Sequence, residues 1–158
     1  SQAATTLIGN AHGRKDNAIV LRKIGVATLN LTCIFSLVII CLFLAFPYSL
    51  LGMFLDTSNS ESYAILEVGV RLIMIAAIFQ LVDGMQAVGL ALLRGIQDVK
   101  TPLIYAIFSY WGVGMTTGYI LGFKFGLGAQ GVWMGLVTGL TSAAICLLWR
   151  FWDKTQNL

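Results

Sequence analysis

The chain has 158 residues, of which 58% are hydrophobic and only 11% charged, with a formal net charge of +3. A soluble domain carries about 25% charged residues, so this chain cannot surround itself with a water-facing surface. Its long uncharged runs exclude soluble α/β and nucleic-acid-binding classes, and the small positive charge is distributed along the chain rather than gathered in one patch.

The chain opens at Ser1, without methionine, and residues 3–11 read as the end of a helix too short to span a bilayer. No basic n-region or cleavage signature marks it as a signal peptide. The expectation is a truncated membrane protein, with one partial helix (1–13) followed by four complete spans. His12, the single histidine, sits near a helix end, where packing or capping is favoured over proton relay. Residues 24–46 carry no charge and exceed the ~20 residues that take a helix across about 30 Å of hydrocarbon. Residues 47–64 then form a polar loop containing Asp56 and Glu61. The next span, 65–93, holds Glu67, Arg71 and Asp83, and its first turns belong at headgroup level or outside. Glu67 and Arg71, at i and i+4, read as a local ion pair. Residues 103–123 and 127–149 are uncharged spans joined by a very short turn, so they form a tight hairpin. Helices are required because lipid cannot satisfy backbone polar groups, and no strand-like alternation suggests a barrel.

Arg14, Lys15, Arg22, Lys23, Arg94, Lys100, Arg150 and Lys154 all fall on one side of this arrangement, whereas the loops of the other side hold only Lys124. The positive-inside bias makes the first side cytoplasmic, in a multi-pass protein of the plasma (inner) membrane with a cytoplasmic C-terminus. Cys33, Cys41 and Cys146 lie inside spans without metal spacing and read as small packing residues. No His/Asp/Glu cluster or Ser–His pairing suggests an enzyme.

Asp83 stands out. Between residues 72 and 93 no other side chain is charged. A carboxylate at that depth costs about 2.5–3.5 kcal/mol on insertion scales, and such groups face bundle interiors or aqueous cavities and mark ion or substrate pathways. Gln80, Asp83 and Gln86 cover a sector of roughly 120° on a helix, and this sector is expected to turn away from lipid. Asp83 is the candidate ion-coupling residue, because a proton or monovalent cation can neutralise it reversibly. Gln80, Gln86 and Tyr110 are candidate cavity-lining residues. Trp111, Tyr119 and Trp133 lie on the last two spans, where packing is favoured over substrate contact, while Trp149 and Trp152 fit an interfacial belt. Gly114, Gly118 and Gly122 recur every four residues in the third full span, as do Gly131, Gly135 and Gly139 in the fourth. Each set lies along one helix face. Small residues let membrane helices approach closely, so both stripes are expected to pack the hairpin, against each other or against neighbouring helices.

Five ordered stretches carry a family likeness: 9–16 (GNAHGRKD), 83–86 (DGMQ), 93–102 (LRGIQDVKTP), 110–119 (YWGVGMTTGY) and 126–135 (GLGAQGVWMG). With them the chain resembles the C-terminal lobe of multidrug and toxic compound extrusion transporters. The resemblance implies an all-α fold of twelve helices in two six-helix lobes, of which this chain supplies the end of the eighth helix and helices nine to twelve. It implies export of organic cations in exchange for Na⁺ or H⁺, with Asp83 matching an acid that helps bind the coupling ion. Its partner acid lies on a helix outside this chain. No cofactor or nucleic acid is implied; the partners are membrane lipid, cationic amphiphilic small molecules and the missing N-terminal lobe. Thr116 stands about where the family commonly carries proline, and threonine imposes no such bend. Other readings are a lipid-linked oligosaccharide flippase of the same superfamily, and a structural or inactive truncated membrane product.

Overall fold

In the computed structural model the described residues are 2–52 and 61–156, with side chains described for 2–52 and 68–156. The Asp56 and Glu61 loop and the expected Glu67–Arg71 pair rest on side chains outside these. Every regular element among the described residues is helical: α1 (Gln2–Gly13), α2 (Ala18–Ala45), α3 (Pro47–Gly52), α4 (Glu61–Gly95), α5 (Lys100–Ile107), α6 (Thr116–Tyr119) and α7 (Gly128–Lys154). Two π-helical segments, Phe108–Met115 and Ile120–Lys124, join α5 and α6 into one rod from Lys100 to Lys124. The chain is thus an all-α membrane protein. Helices α2, α4 and α7 are each long and apolar enough to cross a bilayer, and the α5–α6 rod covers the remaining apolar run.

The helices extend past the apolar runs that announced them. Ala18 rather than residue 24 begins α2, and Lys154 rather than residue 149 ends α7. Helical hydrogen bonding needs no apolar side chains, and long basic residues such as Arg22 and Lys154 keep their charge in the headgroup zone while their stems cover apolar surface. Helix α2 stops at Phe46 because Pro47 follows. Proline disfavours helical geometry in the residue before it and is well placed at the first position of a new helix.

Helix α4 is the central element, with α1, α2 and α7 packed around it. The buried cluster gathers at one end of the bundle: Ile8 of α1, Leu21 of α2, Leu92 and Leu93 of α4, and Leu147 and Phe151 of α7. Glycine permits the closest crossings there. A Cβ on Gly25 would lie 3.0 Å from the Phe151 ring, and one on Gly95 would lie 2.6 Å from Ile8. Thr5 Oγ1 adds a hydrogen bond to the Ala91 carbonyl at 3.1 Å. The outer faces expose Leu31, Phe35 and Val38 on α2 and Ile145 on α7, as hydrocarbon contact requires.

Helices α1 and α4 end alike. Lys15 and Gln97 take left-handed φ values of 57° and 60°. The Asp16 amide then donates to the Ala11 carbonyl, and the Asp98 amide to that of Leu93. This is the Schellman arrangement, which satisfies carbonyls orphaned at a helix end. The turn between the last two spans is as short as expected. Gly126 and Gly128 supply φ values of 71° and 54°, and the Phe125 and Leu127 amides bond back to Ile120 and Leu121.

Candidate ion-coupling site

The packing of α4 fixes where its polar residues point. Gly84 faces α2, where a Cβ would lie 2.8 Å from Thr32 Cγ2 and 3.2 Å from Ser36 Oγ. Each residue turns the helix by about 100°, so Asp83 swings out of that interface and is exposed, on the same side as Ala87 and Arg94. Gln80, nearly aligned with Gly84, is half-buried on the α2 side. Gln86 lies on the opposite flank and donates from Nε2 to the Tyr110 hydroxyl, bridging α4 to the first π-helical segment. Asp83 therefore stands on the open face of α4, between a glutamine on either flank. It has no hydrogen bond or ion pair among the described residues. Among those residues no three His, Cys, Asp or Glu side chains come together. Asp83 can accept a proton alone. Holding Na⁺ would require further oxygen ligands, for which the side-chain carbonyls of Gln80 and Gln86, one on either flank, are candidates.

The rod carrying Tyr110 departs from α geometry. Phe108–Met115 is π-helical and α geometry resumes at Thr116, so this stretch is irregular without proline. The wider π turn is a common feature of functional sites. Ser109 is fully buried there and donates to Ser142 Oγ of α7 at 3.3 Å. Tyr110 is partly exposed at 36%, whereas Trp111 at 68% and Tyr119 at 59% face outward. Trp133 meets Phe79 of α4 edge-on, with ring centroids 5.8 Å apart.

The glycine stripes of the hairpin face each other in antiparallel register. A Cβ on Gly139 would lie 2.9 Å from Gly114 Cα, one on Gly135 would overlap Gly118, and one on Gly131 would lie 2.5 Å from the Gly122 nitrogen. Backbone thus rests on backbone along this seam.

Sequence reasoning missed a clamp at the basic end. Asp98, only 7% exposed, receives Lys154 Nζ at 3.0 Å and Arg150 Nε at 3.3 Å. Arg22 of α2 donates from Nε to Thr155 Oγ1 at 3.2 Å and from Nη2 to the Trp152 carbonyl at 3.0 Å. These contacts tie the α4–α5 turn and the start of α2 to the end of α7. Burial pushes the Asp98 carboxyl up, but hydrogen bonds from Lys154, Thr101 and Arg150, with the charge of Lys154, outweigh it and hold the group below its ordinary 3.8. A carboxylate whose folded value is depressed stabilises fully above its unfolded value, and that stabilisation fades as pH falls through the folded one. Stability should therefore decline below about pH 4. Asp98→Asn should flatten that part of the stability–pH curve, measured by thermal unfolding in detergent; an unchanged curve would remove the clamp's contribution.

Comparison with known proteins matches this arrangement to one family. A family model described as MatE matches residues 1–120. "Multidrug resistance protein NorM" of Burkholderia vietnamiensis is 42% identical over 158 residues, covering 99% of this chain and 34% of the relative. "Probable multidrug resistance protein NorM" of Rhizobium meliloti (strain 1021) is 40% identical over 158 residues, covering 100% of this chain and 34% of the relative. The counterpart in Synechocystis sp. is 34% identical over 151 residues, covering 96% and 32%. The chain spans about a third of the length of the curated relatives it matches. With a family model covering most of its length, the chain belongs to the MatE family, the multidrug and toxic compound extrusion proteins.

Proposed function

We propose that this chain forms part of a multidrug exporter that moves organic cations outward in exchange for Na⁺ or H⁺, with Asp83 taking up the coupling ion. The observation that carries the reading is the place of Asp83: mid-span, on the open face of α4, beside the Gln86–Tyr110 bridge. An unpaired carboxylate facing hydrocarbon is costly. The relatives are about three times as long, a second lobe in the remaining length would cover it, and the names of those relatives support drug efflux as the activity. Loading Asp83 with a cation removes its charge and lets its face close against apolar surface. The empty carboxylate favours a hydrated, open arrangement. An ion drives the cycle only through such unequal affinity for two states. Gln80, Gln86 and Tyr110 would line the cavity, and the Tyr110 ring offers a face to a cationic substrate. The basic end, with both the clamp and the C-terminus, would lie in the cytoplasm of the plasma membrane.

Reconstitution of the complete protein tests the reading. Proteoliposomes should export a fluorescent lipophilic cation such as ethidium only when an opposing Na⁺ or H⁺ gradient is imposed. Export that ignores both gradients would overturn it.

A further inference from the structure

We infer that the outer face of α2 at the basic end holds one anionic phospholipid, with its phosphate against Lys23 and an acyl chain running from there along Val26 and Ala27. A groove of about 420 Å³ lies there, lined by Ile19, Arg22, Lys23, Val26, Ala27 and Asn30. From Lys23 to Asn30 it follows two turns of helix, about 10 Å, with apolar walls between a cationic mouth and an amide. That is the profile of a charged headgroup above the start of a hydrocarbon chain.

The charges at this end argue for an anion at the mouth. Its aspartates are already engaged: Asp16 by Arg14 at 3.1 Å, Asp98 by Lys154 at 3.0 Å, and Asp153 by Arg150 at 3.9 Å. Lys23 is exposed and has no acidic partner among the described residues. Beside it, the contacts of Arg22 to Thr155 and Trp152 use Nε and Nη2, fixing the guanidinium while leaving Nη1 to donate elsewhere. A held arginine next to a free lysine, over an apolar trough at headgroup depth, matches a lipid phosphate and its chain. An apolar helix would leave Lys23 without a counter-charge, and a zwitterionic lipid offers its phosphate only with a cationic amine beside it, which the held Arg22 and exposed Lys23 repel. Basic residues next to a membrane span recognise anionic headgroups in this way.

Native mass spectrometry of the complete protein in detergent tests the site, with dioleoylphosphatidylglycerol and dioleoylphosphatidylcholine as probes. Wild type should retain the glycerol lipid in preference to the choline lipid. Lys23→Gln should weaken that retention by about fivefold, and Ala27→Trp should weaken it by filling the trough. Lys124→Gln, a charge removed at the other end, should leave retention unchanged. Equal retention of both lipids by wild type, or undiminished retention by Lys23→Gln, would overturn the proposal. So would full competition by glycerol 3-phosphate, which has the phosphate without a chain and would reduce the groove to a plain anion site. The readout is lipid binding alone, so it stands or falls separately from ion-coupled export.

Discussion

Asp83→Asn in the complete protein should abolish ion-driven drug accumulation while leaving the protein folded and in the membrane. For one-for-one exchange, a tenfold ion gradient is worth about 1.4 kcal/mol and sustains an opposing substrate gradient of about tenfold. In the Asn variant the substrate gradient should fall to about one, because an amide binds neither a proton nor a cation with a full charge. Folding should survive, since asparagine keeps the size and shape of the aspartate and, among the described residues, its charge pairs with no partner that would be orphaned. Asp83→Glu should retain part of the activity, because the charge persists one methylene away. Steady-state ethidium accumulation under an imposed gradient, alongside protein levels in the membrane, distinguishes these outcomes. A variant that exports as well as wild type would place coupling on another group.

Gly135→Ala should be among the most damaging single-methyl additions in this chain. The new Cβ would overlap Gly118 Cα and N and sit 2.8 Å from the Gly114 carbonyl oxygen. All three are backbone atoms of the facing rod, so no side chain can rotate away and the two helices must separate. Overpacking of this kind costs about 3 kcal/mol at the upper end. Separation would also loosen the Gly114–Gly139 contact and the Ser109–Ser142 hydrogen bond along the same seam. The opposite stripe provides an internal control. A Cβ on Gly118 would have its nearest neighbours at 3.5 and 3.6 Å, ordinary contact distances, so Gly118→Ala should be nearly neutral. Thermal unfolding in detergent should rank Gly135→Ala well below Gly118→Ala; equal loss in the two would show that the seam does not carry the hairpin.

Much of the architecture was legible because it depends on local pattern. Uncharged runs marked α2, the Lys100–Lys124 rod and α7, and four-residue glycine spacing marked faces whose close approach follows from having no side chain. The Gly126 and Gly128 turn was legible for the same reason, as a short gap between apolar runs. Asp98 was not legible, because its partner Arg150 is 52 residues away and the local signal around it describes only a helix end. The Gln86–Tyr110 bridge spans 24 residues, and neither residue advertises the other. The π-helical stretch left no trace either: in an apolar run nearly every register buries a similar residue, so a change in helical pitch does not disturb the pattern. Thr116 was read as removing a bend, yet helix geometry changes there without proline. The expected inward turn of the Gln80, Asp83 and Gln86 sector came out divided. Its flanks pack within this group of helices, while Asp83 stands exposed on the open face of α4.

The most direct test of Asp83 as the coupling acid is ion displacement by substrate in the purified complete protein. Adding a tight-binding organic cation to wild type in weak buffer, with and without Na⁺, should release a proton or a sodium ion, read with a pH indicator and by ²²Na⁺ binding. Asp83→Asn should bind the substrate and release neither. Equal ion release from wild type and Asp83→Asn would contradict the assignment.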